Sequence, residues 1–116
     1  MIKQGAIAWL NLDPQSGHEQ KGYRPVIVVS NNDFHIITGN KLVMICPITN
    51  TGKVDLMHIK LDEQTKTTGF VMCEQVKVLD ITTRKYEFRE MIPNEILVKI
   101  LDRVQSISLY EAKPGV

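Results

Sequence analysis

The chain has 116 residues, 43% hydrophobic and 23% charged, which fits one globular domain and excludes a disordered chain. Fourteen basic against thirteen acidic side chains leave a formal charge of +1, too even for a protein whose main task is to neutralise duplex DNA. A local basic groove for a short single strand is still compatible with that balance.

The elements follow in chain order. GAIAWLNLD (5–13) alternates as a half-buried strand does, and Asp13-Pro14 ends it. Residues 14–23 form a polar loop containing Gly17 and Gly22. Arg24-Pro25 opens a second strand whose Val26, Ile27, Val28 and Val29 are apolar in succession, so both of its faces should be covered. Residues 31–40 read as a loop with a short helical turn, and KLVMICPIT (41–49) as a third strand closed by Asn50, Thr51 and Gly52. LMHIKL (56–61), GFVMCEQVKVL (69–79) and KYEFREMI (85–92) supply three more strands.

From Pro93 the period changes. Ile96, Leu97, Ile100, Leu101, Val104 and Ile107 repeat at helical spacing, and proline suits a helix's first turn. The expected architecture is a single domain over 1–110, mainly β: a small, curled antiparallel barrel capped by a C-terminal helix, with 111–116 as a flexible tail.

The histidines His18, His35 and His58 lie far apart and share no metal-ligand spacing, so no metal is expected; phosphate-cradling glycine motifs are also missing, and no cofactor is expected. Cys46 and Cys73 sit in apolar runs without CxxC spacing and read as buried, reduced thiols. No apolar run approaches the roughly 20 residues of a membrane span, so a cytoplasmic protein is expected.

The chemistry concentrates in GHEQKGYRPVIVVS (17–30). Arg24, pinned by Pro25, offers a guanidinium fork suited to phosphate; the alternative is a structural pair with Glu19 or Glu74. Thr49, at the end of the third strand, presents a hydroxyl to the same rim or satisfies a turn N–H. Glu74, within MCEQ, must face solvent or be held by a cation. The rings of Trp9, Tyr23, Phe34 and Phe70 suit core positions at least as well as stacking platforms.

Several segments together resemble the MazF/PemK-type toxins of type II toxin–antitoxin systems: the Gly5–Pro14 run, GHEQ followed by G-x-RPV, CPIT, and TTGFVMCEQVKVLD. The resemblance covers residues 3 to about 110. It implies an SH3-like barrel of the CcdB/PemK type, a homodimer, and a ribosome- and metal-independent endoribonuclease acting on single-stranded RNA. It maps the catalytic arginine and threonine onto Arg24 and Thr49 and places Glu19 and Gln20 near the scissile phosphate. Glu19, Glu74 or His18 is the expected base, with Glu19 preferred for its place in the motif, and RNA contacts are expected from His18, Gln20, Lys21, Tyr23, Asn50 and Gln75. A cognate antitoxin's tail is expected in the RNA groove.

In the PemK/Kid branch, the two residues before the final CxQ include an arginine and an aspartate follows the cysteine; here Met72 and Glu74 stand at those positions. That difference moves the expected chemistry toward Arg24 and Thr49. Two other readings accompany it. One is a catalytically weak antitoxin-binding module. The other is a gyrase poison on the same fold, which depends on a tryptophan near the C-terminus where this chain ends EAKPGV.

Overall fold

The computed structural model describes residues 2–14 and 17–112, so most of the expected tail, 113–116, and positions 15–16 of the polar loop lie outside the described residues. The strands are β1 (Ala6–Asn11), β2 (Tyr23–Val28), β3 (Leu42–Thr49), β4 (His58–Lys60), β5 (Phe70–Met72), β6 (Lys77–Asp80) and β7 (Tyr86–Met91), with helices α1 (Asn32–Ile37) and α2 (Asn94–Ser106). All strand pairs are antiparallel, in the order β4-β5-β3-β2-β1-β7, and β6 also pairs with β3. No helix among the described residues is long and apolar enough to cross a membrane.

β2 is central because its apolar run permits it. Ile27 and Val29 belong to the core on one face, with Ile7, Cys46, Ile48, Val71 and the helix residues Ile96 and Ile100. Val26 and Val28 belong to the core on the other, with Ala6, Leu10, Leu12, Val43, Ile45 and Leu79. Both faces are covered, as the unbroken apolar sequence requires. Each fully buried aliphatic side chain here contributes about 1.5–3 kcal/mol, so β2 is fixed within the molecule over Val26–Val28.

α1 is the short helical turn expected within 31–40; Asn31 caps it by accepting from the Phe34 N–H at 2.9 Å. α2 buries Ile96 and Ile100 and packs Leu97, Leu101 and Val104 against the same core. Ile107, expected on that apolar face, falls one residue beyond the helix and is exposed.

Two expectations change. The strand expected over 69–79 is broken at Cys73–Gln75 by a single turn of 3-10 helix. β5 pairs with Ile48 and Thr49, whereas β6 pairs with Leu42–Ile45, and the register between them is offset by three residues, the length of that turn. Glu74 and Gln75 therefore project from a turn and not from a ladder. Backbone pairing among the described residues also does not close the sheet into a barrel: β4 and β7 end the strand order, and β6 pairs with β3 alone. A side chain of β7 instead reaches the β4–β5 connection: the Glu90 carboxylate accepts from the N–H groups of Lys66 and Thr67 and from the Thr67 hydroxyl, at 3.0, 2.8 and 2.8 Å. Burial raises the Glu90 pKa, but these bonds outweigh it and hold the carboxyl below its usual range.

Gly69 sits where the β4–β5 connection enters β5, at φ +120°, and a Cβ there would stand 2.6 Å from the Thr49 carbonyl oxygen. No side chain fits that approach. Gly69→Ala is expected to lower stability by about 2 kcal/mol or more in urea unfolding; a variant as stable as the parent would contradict the packing described.

Candidate functional site

An open cleft of ≈ 710 Å³ lies where β2 leaves its ladder with β3. The last bridge is Val26 to Pro47, and the same register carried two residues further sets Arg24 opposite Thr49. On its other side Arg24 is paired in register with Leu10 of β1, so its backbone is held by the sheet. Lys21, Arg24, Lys66 and Arg89 bring four cations to the cleft wall; among the described residues Glu90, whose oxygens are already engaged, is the lining carboxylate, and Glu87 beside the cleft pairs with Arg89. A chain with almost no net charge has thus gathered a local positive field.

The Arg24 guanidinium makes no hydrogen bond or ion pair with any described residue, and its Nε is buried without a partner. Neither Glu19 nor Glu74 holds it. Glu19 Oε2 lies 2.8 Å from Lys77 Nζ, and Glu74 Oε2 lies 2.8 Å from His58 Nε2. A buried donor without an acceptor costs on the order of 1–3 kcal/mol, and more when charged, so such a group is unusual unless an acceptor comes from outside.

Thr49 is buried, and its Oγ1 accepts from the Thr51 N–H at 3.2 Å and lies 3.0 Å from the Thr51 hydroxyl. It therefore satisfies a turn, and it also lines the cleft with Asn50 and Thr51. Asn50 accepts from the Thr68 hydroxyl at 3.0 Å, which ties this turn to the β4–β5 connection.

Of the residues expected from the sequence, the cleft unites Arg24, Thr49, Lys21, Tyr23 and Asn50. Glu19, Gln20, Glu74 and Gln75 form a second cluster at the Cys73–Gln75 turn. Gln20 donates its N–H to Gln75 Oε1 at 3.0 Å, Lys77 holds Glu19, and His58 holds Glu74. His18 is exposed on the loop between the two. Met72, at the position where the related branch carries an acid candidate, is buried in β5.

Trp9, one of the rings noted in the sequence, and several residues not singled out there also line the cleft. Trp9 is only partly buried; its ring lies 5.4 Å from that of Tyr23, with the Arg89 guanidinium 6.0 Å away on the ring. Arg89 reaches this place through an irregularity of β7: the β1–β7 register shifts between Ile7 and Ala8, so Glu90 and Phe88 are bridged and Arg89 is the extra residue. Lys66, Thr67 and Thr68 arrive on the connection that Glu90 holds. Alternation along KYEFREMI contained no sign of the bulge.

Cys46 and Cys73 are fully buried, and the Cys46 thiol is pushed up by the neighbouring Cys73 thiol and by burial, which suits structural and not nucleophilic sulfur.

This fold and cleft define a known class. Residues 3–108 match the family of PemK-like, MazF-like toxins of type II toxin–antitoxin systems, and the chain belongs to that family. It is similar to the endoribonuclease PemK of Escherichia coli, with 33% identity over 110 residues covering 91% of this chain and 81% of the relative. The crystal structure of MazF from Deinococcus radiodurans superposes with a TM-score of 0.82 at 30% identity, covering 91% of this chain and 94% of that one. A MazE–MazF complex from the same organism gives 0.76 at 30% identity over the same shares.

Beside the cleft, the Glu87 carboxylate accepts from the Tyr23 hydroxyl at 2.7 Å and from Arg89 at 2.9 Å, with Lys85 at 3.3 Å. The Tyr23 bond, then Arg89 and Lys85, hold its pKa down at about 2. A depressed carboxyl contributes stability that is present above its unfolded value and lost as pH falls through the folded one. In an NMR titration Glu87 is expected to titrate near 2, and Tyr23→Phe to move it upward. An unchanged Glu87 titration in the variant would contradict the arrangement.

Proposed function

We propose that this chain is an endoribonuclease toxin that cuts single-stranded RNA at short sequences, using the ribose 2′-OH as nucleophile and needing no metal. The observation that carries this is the Arg24 guanidinium, without a hydrogen-bond partner among the described residues, lining one cleft with Thr49 and three further cations. RNA brings an attacking hydroxyl that DNA lacks, so the protein must take its proton, stabilise the charge that develops on the phosphorus oxygens, and release the 5′-oxygen. The products are then a 2′,3′-cyclic phosphate and a 5′-hydroxyl.

Arg24 donates to the developing phosphorane oxygens, and the Thr49 hydroxyl is the second donor once a substrate oxygen takes it over from Thr51. Glu19 is the base: it lies two residues before Lys21 on the loop entering the cleft, and its bond to Lys77 is half exposed and easily exchanged. Trp9, Tyr23 and Arg89 form a surface on which a splayed base stacks, while Lys21, Lys66 and Asn50 take the backbone and base edges. The acidic tail of a cognate antitoxin competes for the same cations, a reading supported by the MazE–MazF neighbour. We assign the active form to a cytoplasmic homodimer.

Purified protein is expected to cleave mixed-sequence single-stranded RNA at an unchanged rate in EDTA. Arg24→Ala should lose about 100- to 1,000-fold in single-turnover rate with an unchanged circular dichroism spectrum. Cleavage that stops in EDTA, or a fully active variant, would overturn the mechanism.

A further inference from the structure

One short turn holds both loops that flank the cleft. Gln75 fixes the loop of residues 17–22 through the Gln20 N–H. Glu74 fixes the loop of residues 50–57 through His58, whose Nε2 lies 2.8 Å from Glu74 Oε2 and whose Nδ1 lies 2.7 Å from the Lys53 carbonyl oxygen. The second loop has little burial to hold it, since Val54 and Leu56 are 84% and 85% exposed. Apart from Met57, which packs against the core, its position depends on polar ties: Thr51 to Thr49, Asn50 to Thr68, the Cys73 N–H to the Met57 carbonyl oxygen, Arg103 Nε to the Leu56 carbonyl, and His58.

Both partners of the His58 ring only accept. A carbonyl oxygen and an ionised carboxylate have no proton to give, so the two bonds together need a proton on each ring nitrogen. Either neutral tautomer turns a nitrogen lone pair toward an oxygen less than 3 Å away. The side chain is only 9% exposed, so water cannot readily replace the lost bond.

We propose that His58, as an imidazolium, is a positioning residue that ties the 50–57 loop to the Cys73–Gln75 turn and so fixes Asn50 and Thr51 beside Arg24 and Thr49. The groups around it are consistent in sign. Glu74 faces it from the turn, and Asp55 Oδ2 lies 3.8 Å away on its own loop. The Phe70 ring of β5 is 6.4 Å distant, and Arg103 of α2 is the cation on the helix side, held at the Leu56 carbonyl. Burial alone lowers the His58 pKa, but Glu74, the Lys53 carbonyl and Asp55 together raise it above the ordinary imidazole value. The tie is therefore complete below the ordinary value and is lost as pH rises through the raised one.

The consequence for cleavage rests on the RNA reading above; the tie itself does not. The test is ¹⁵N NMR of the His58 ring with amide protection factors for residues 51–56 across the same pH range, in the free protein. Both ring nitrogens should be protonated at pH about 6, and His58 should titrate above the ordinary histidine value. Loop protection should fall about tenfold or more through that titration, the effect of losing one bond to a charged group. His58→Phe keeps the ring against Phe70 and should show the low protection at every pH.

Glu74→Gln separates this role from general packing. A carboxamide can donate to a neutral Nε2, so loop protection should become independent of His58 titration. Protection that ignores the His58 titration, or a His58 that titrates at or below the ordinary value, would overturn the proposal. A protein that cuts no RNA but whose loop follows His58 would keep the tie and remove the RNA reading; one that cuts RNA with an indifferent loop would do the reverse.

Discussion

A guanidinium N–H withdrawn from water without an acceptor is a standing cost, and the placement of Arg24 Nε is the constraint on which the rest of the site depends. Arginine cannot shed its charge to relieve that cost. Only an acceptor entering from outside can, and the cleft admits one. The surrounding structure keeps intramolecular carboxylates away: Lys77 holds Glu19, His58 holds Glu74, and the loop N–H groups of Lys66 and Thr67 occupy Glu90. Each of these carboxylates is thus engaged by a partner other than Arg24.

Holding Arg24 in that position requires rigidity on one side and give on the other. Rigidity comes from β2, paired on both edges and buried on both faces from Val26 to Val28. Pro25, in register with Trp9, and Pro47, at the last bridge to β2, mark the point where the ladder gives way to cleft. Give comes from the loops at 17–22 and 50–57, which are tied by polar contacts at their margins and carry little apolar burial. Contacts of that kind exchange readily for contacts with a ligand.

The parts legible in the sequence were those governed by local pattern. Four apolar residues after Pro25 specified a strand covered on both faces, and the i, i+3, i+4 repeat from Ile96 specified α2. Local pattern placed Arg24 and Thr49 at strand ends, and it was the resemblance to the MazF/PemK-type toxins that joined them as a pair. What was not legible depends on pairing between distant segments. The break at Cys73–Gln75 is hidden because Cys73 and Val76 continue the apolar pattern, and only the offset register with β3 exposes it. Arg89 enters the cleft through a bulge opposite β1, and Glu90 ties β7 to the β4–β5 connection across 23 residues of sequence. Trp9 reads as core from alternation, yet it lies partly open beside Tyr23 because β1 ends at the cleft.

The central claim is that Arg24 is left without a partner so that a phosphate can supply one. ¹⁵N NMR of the Arg24 Nε–H, during titration with single-stranded RNA carrying 2′-deoxyribose so that it binds uncut, tests this most directly. The resonance is expected to move to lower field and its exchange with water to slow, more than for any other arginine. An Arg24 signal that stays put while Lys21, Lys66 or Arg89 respond to the RNA would contradict the account.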